Sequence, residues 1–163
     1  MGKSVALVVF ALCISSALAR HVQDNNPVFH IEGKVYCDPC QFEFESRLSK
    51  PLSGVKVTLE CRKPDTGDRT FTLDGVTEST GHYTLTVEGD HQDEICAVKT
   101  EVNQHKHCNV PMNTSDSDRI VLTKNDGVSS SLRFVNPLGF KTNDVDQECF
   151  KVYKELELDH LNN

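Results

Sequence analysis

Cysteine placement constrains this chain more than any other feature. Seven cysteines occur in 163 residues. The first, Cys13, lies in a segment with the order of an export signal: Lys3, an apolar run from Val5 to Ile14, and small residues ending Ala17-Leu18-Ala19. With residues 1–19 set apart as a signal peptide, 144 of the 163 residues are left, spanning 20–163 as a single domain. Six cysteines stay with them: Cys37, Cys40, Cys61, Cys96, Cys108 and Cys149. An even set in an exported chain reads as a disulfide framework, although six cysteines allow fifteen pairings and sequence alone does not choose among them. Links that close loops of tens of residues would each contribute about 4 kcal/mol in the chain-entropy account.

The apolar pattern between the cysteines is that of strands. Val55, Val57, Leu59 and Cys61 alternate with polar residues and share one buried face. His82–Val87 alternates again, Ile95–Val102 puts Cys96, Val98 and Val102 on one side, and Val28–Tyr36, Thr70–Leu73, Arg119–Thr123 and Leu132–Asn136 also read as strands, with Gly75, Gly81 and Asn125-Asp126-Gly127 as turn signals. Seven short strands at this spacing predict an all-β, seven-stranded antiparallel barrel or sandwich rather than alternating α/β units. Cys149, Val152, Tyr153 and Leu156 fall at helical spacing, so residues 148–158 are expected to form a short C-terminal helix against the barrel. Residues 41–48, with Phe42, Phe44 and Leu48, fit either a helix or irregular chain.

Charge and motif chemistry narrow the function. Loss of Lys3 with the signal takes the net charge from -7 to -8, an acidic balance that argues against nucleic acid or an anionic membrane as partner. No stretch after residue 19 approaches the length needed to span a membrane. Cys37-Asp38-Pro39-Cys40 has the spacing of a dithiol redox centre, in which a helix N-terminus activates a thiolate. The missing βαβ pattern and the four further cysteines favour structural pairing instead. Asn113-Thr114-Ser115 is an N-glycosylation sequon in a polar stretch. His105 and His107 flank Lys106 beside Cys108, but an oxidised cysteine cannot complete a zinc set, so no metal is assigned. The acidic run Glu88, Asp90, Asp93 and Glu94 lacks EF-hand spacing and reads as a surface loop. No nucleophile elbow, HExxH, P-loop or dinucleotide fingerprint is present, so no catalytic residue and no cofactor is assigned.

The stretch Glu32-Gly33-Lys34-Val35-Tyr36-Cys37-Asp38-Pro39-Cys40 resembles the signature G-x-V-Y-C-D-x-C-R of the olive pollen major-allergen family, also called the pollen Ole e I and extensin family, with Gln41 in place of the arginine. Further matches are Leu59-Glu60-Cys61-Arg62, Gly81-His82-Tyr83, Asn136-Pro137-Leu138-Gly139-Phe140 and Lys154-Glu155-Leu156. The resemblance implies a compact seven-stranded antiparallel β-barrel with Cys37 joined to Cys108, Cys40 to Cys149 and Cys61 to Cys96. It also implies a monomeric plant protein in the extracellular space or cell wall. There it would bind a receptor-like kinase ectodomain or a wall polymer without catalysis, in roles such as pollen hydration and tube growth. Two readings from other classes remain beside it: a secreted thiol oxidoreductase using Cys37 and Cys40, and a hydrolase inhibitor.

Overall fold

The structure is a computed structural model that describes residues 26–101, 107–112 and 116–156. The export segment 1–19, His105 with Lys106, and the sequon at Asn113 lie outside the described residues.

Among the described residues, ten strands and one helix follow in order. They are β1 (Val28–Asp38), β2 (Lys50–Pro51), β3 (Lys56–Arg62), β4 (Arg69–Val76), β5 (His82–Glu88), β6 (Ile95–Thr100), β7 (Val110–Pro111), β8 (Asp116–Ile120), β9 (Leu132–Phe134), β10 (Leu138–Lys141) and α1 (Cys149–Glu155). β1 is long enough to serve two sets of neighbours. Its first half pairs with β5, from Val28 opposite Glu88 to Lys34 opposite His82, and with β9. Its second half pairs with β2 and β10, and β7 closes that edge. A second sheet runs in the order β4-β3-β6-β8.

Period-two patterning places the core between these layers. In β5 the side chains of Tyr83, Leu85 and Val87 are buried while their neighbours are exposed. Phe29, Ile31 and Val35 from β1 meet Val57 and Leu59 from β3 and Val98 from β6 in one apolar cluster. Each such side chain contributes about 2 kcal/mol through burial. Two glycines permit close approaches in this packing. A Cβ on Gly33 would overlap the Tyr83 ring, and one on Gly139 would overlap the Met112 side chain.

Three features differ from the sequence reading. The sheet is not wholly antiparallel, because β9 and β10 run parallel to β1. They are successive pieces of one path along β1, interrupted at 135–137, where Pro137 has no N–H to donate. The short strands β2, β7 and β10 add to the seven expected, and the strand expected at Arg119–Thr123 lies earlier, at Asp116–Ile120. The helix ends at Glu155, with Cys149 and Val152 buried and Leu156 45% exposed, so the expected apolar face is only one turn long. Residues 41–48 are irregular, with left-handed backbone at Gln41 (φ 58°) and Glu43 (φ 65°).

Candidate functional site

Two of the three disulfides, Cys37–Cys108 and Cys40–Cys149, lie at the end of β1 and build a corner there. The structure joins Cys37 to Cys108, Cys40 to Cys149, and Cys61 to Cys96. Cys61 and Cys96 sit directly opposite each other on β3 and β6, with Cα atoms 4.0 Å apart, and both are buried in the core. Cys37 and Cys40 bond to separate, distant cysteines. Neither is a free thiol, and no helix follows Cys40 to activate one.

Asp38 closes β1 and anchors the chain that leaves it. Fully buried, its carboxylate accepts the backbone N–H of Cys40 and of Glu43, both at 2.9 Å. These charge-assisted bonds hold two non-glycine residues in a conformation that costs about 1 kcal/mol each. Gln41, which stands where the family signature has arginine, donates its side-chain amide to the Thr142 carbonyl at 2.9 Å. It thereby ties the loop to the chain beyond β10. Cys40–Cys149 fastens the same loop to α1, and Arg47 grips Glu155 through two hydrogen bonds of 2.9 Å. That contact raises the pKa of Arg47 and lowers that of Glu155, in both cases mainly through the hydrogen bond between them.

Aromatic side chains project from this pinned frame. Phe42 and Phe44 stack with ring centroids 5.5 Å apart, and Tyr153 of α1 tilts against Phe42 at 6.4 Å. Phe44 is 41% exposed, and Phe150 is 65% exposed with the Lys154 ammonium 4.6 Å above its ring. The surrounding charges are matched: Lys34 with Glu45, Lys141 with Glu43, and Lys151 with Glu148. Beneath the loop, burial and then the nearby carboxylates of Asp38, Glu45 and Glu43 push the Tyr36 phenol up to about 12.

Elsewhere, Cys61, His91, Glu94 and Cys96 bring their potential ligand atoms within 4.8 Å of one another. The two sulfurs are spent on each other, so the group reduces to a His91 Nδ1 to Glu94 Oε2 contact of 2.7 Å beside the disulfide. The acidic run is a surface loop held by its own turns, with Asp90 accepting from the Gln92 N–H and the Thr123 hydroxyl. His107 lies at the rim of a separate cavity beside Cys108.

Comparison with known proteins places this architecture. The family model described as "Pollen protein Ole e 1 like" matches residues 27–157. The chain belongs to this family. It is 40% identical to the anther-specific protein LAT52 of Solanum lycopersicum over 97% of each chain. It is 38% identical to an Olee1-like protein of Betula pendula, over 96% of this chain and 95% of that one. The crystal structure of the plantain pollen allergen Pla l 1 superposes with a TM-score of 0.64 at 28% identity, covering 75% of this chain and 99% of the other. These Ole e 1-like relatives carry the names of pollen-specific proteins and allergens rather than of enzymes. The disulfide-rich family is extracellular in character, and among the described residues no helix is long and apolar enough to cross a membrane.

Among the residues of the corner, the cysteines were legible in the sequence as a set. Outside the signature, nothing in the local pattern marks Asp38 or the Phe42–Phe44–Tyr153 cluster as functional. The signal for them was present in the signature, where an acidic residue between two cysteines precedes an aromatic-rich loop.

Proposed function

We propose that this Ole e 1-like protein is a secreted, non-catalytic ligand that binds a receptor-like kinase ectodomain at the plant cell surface through the aromatic corner, in pollen hydration or tube growth. The observation that carries the reading is the display of Phe42, Phe44 and Phe150 on a loop and helix held by Asp38, Cys40–Cys149 and the Arg47–Glu155 pair. Aromatic anchors on a preorganised frame lose little entropy on binding, and such residues dominate interface energetics. Because the rim charges neutralise one another, recognition rests on apolar insertion, and affinity should depend weakly on salt.

The test is binding of the purified protein to immobilised ectodomains of plant receptor-like kinases. Replacing Phe44 and Phe150 together by alanine should weaken binding by about 30-fold, corresponding to ~2 kcal/mol, while leaving stability nearly unchanged. Unaltered affinity in that variant would overturn the reading. Wall polysaccharides serve as the alternative partner in the same assay. A polar furrow of about 370 Å³ on the outer face of the second sheet, where Lys56, Glu60, Arg69 and Lys99 meet, is where such a polymer would lie. An N-glycan at Asn113 belongs to the same extracellular reading, and a mass shift on enzymatic deglycosylation would reveal it.

A further inference from the structure

Beside the aromatic corner, the end of the barrel opens into a cavity of about 580 Å³. That size suits a small ligand, and barrel mouths are a common place for such sites. The floor is core: the Cys37–Cys108 disulfide and Leu52 are buried from below and line the cavity from above. Pro39, Pro51 and Val145 form apolar walls, and Val145 keeps 55% of its surface exposed.

Two opposite charges stand on opposite flanks of that floor. Cys37 is registered against Lys50 of β2 on one side and Phe140 of β10 on the other. Two strand spacings put the backbones of these flanks about 10 Å apart at the level of Cys37. Lys50 rises from the first flank. Asp144 follows the continuation of the second, where the Thr142 N–H still donates to the Asp38 carbonyl at 3.4 Å. Both side chains are exposed, and among the described residues neither makes a side-chain hydrogen bond or ion pair. The neighbouring Asp146, by contrast, is engaged, accepting the Glu148 N–H at 2.9 Å.

The geometry points to a binding site for a short apolar peptide with free termini, its ammonium on Asp144, its carboxylate on Lys50 and its side chains on the disulfide floor. Three extended residues span about 10 Å, the width between the flanks. A phosphocholine or betaine head holds its charges only a few bonds apart, closer than the backbones of these flanks. Each terminal contact is charge-assisted and faces an apolar wall that lowers the local dielectric.

The experiment titrates the disulfide-intact protein, isotopically labelled, with the tripeptide Leu-Val-Leu and follows amide shifts. Saturable shifts are expected at Leu52, Cys108 and Val145. Asp144→Asn and Lys50→Glu should each raise Kd about tenfold. N-acetylation of the tripeptide should weaken binding to the wild type by the same factor and leave binding to the Asp144→Asn variant unchanged, because the two changes remove one interaction. Both positions are exposed, so the variants keep the fold. The assignment is overturned if free and blocked peptides bind equally, if shifts fall elsewhere, or if no saturation occurs up to millimolar peptide. Equal affinity for dodecylphosphocholine below its micellar concentration would mark an unselective apolar mouth and would also overturn it.

Discussion

Removing the Cys40–Cys149 bond by a double alanine substitution isolates what holds the aromatic corner. The bond closes 109 residues of chain, which in the chain-entropy account corresponds to about 4.8 kcal/mol. The unfolded protein keeps Cys37–Cys108, however, and that changes the relevant loop. The shortest path from Cys40 to Cys149 then runs three residues back to Cys37, across the sulfurs, and 41 residues onward from Cys108, about 44 in all. A loop of that length is worth about 4 kcal/mol. Helix α1 has seven residues and is too short to persist alone, so its amides should lose exchange protection while β3 and β6 retain theirs. Guanidinium unfolding of the mature protein measures the loss, and the m-value should rise as the unfolded chain expands. A loss below about 1 kcal/mol, or unchanged protection in α1, would refute the idea that this bond organises the corner by restricting the unfolded chain.

Arg133, 8% exposed, donates to the carbonyls of Val121, Thr123, Ser130 and Leu132, pairs with Asp126 at 3.0 Å and lies over the Phe29 ring. Arg133→Met should cost about 3–5 kcal/mol by removing the cation that pairs with Asp126 and the donor that these carbonyls share, read as a fall in the denaturation midpoint, and a loss within 0.5 kcal/mol would contradict the role. The raised Tyr36 pKa favours the neutral phenol in the folded state. Its contribution is full below the ordinary value of 10.0 and is lost as pH rises toward about 12. Stability measured across that window should fall less steeply in Tyr36→Phe than in the wild type, and equal slopes would show that Tyr36 titrates alike in both states.

Much of the fold was legible because its local signals agree. Leu59 and Cys61 in β3, and Tyr83, Leu85 and Val87 in β5, alternate cleanly with polar neighbours, and burial on one side of a sheet requires that period. The strands that escaped notice, β2, β7 and β10, are two to four residues long. Segments so short hold no period; β2 and β10 exist because β1 offers them an edge to pair with, and β7 because β10 does. The same reason explains the parallel pairs, since strand direction depends on where the chain returns and not on local residue choice.

By itself the sequence determined the class: the alternating runs require sheet, and six cysteines of this spacing, with the Gly33 to Cys40 signature, identify the family. Only the tertiary structure decided the surfaces. Asp38 becomes an anchor because strand pairing ends beside it, and Phe42 and Tyr153 come into contact because a bond between residues 109 apart brings α1 to the loop. Lys50 and Asp144 line the same cavity because β2 and the chain leaving β10 flank the same strand. Contacts of this kind join residues distant in sequence, and no local period or propensity encodes them.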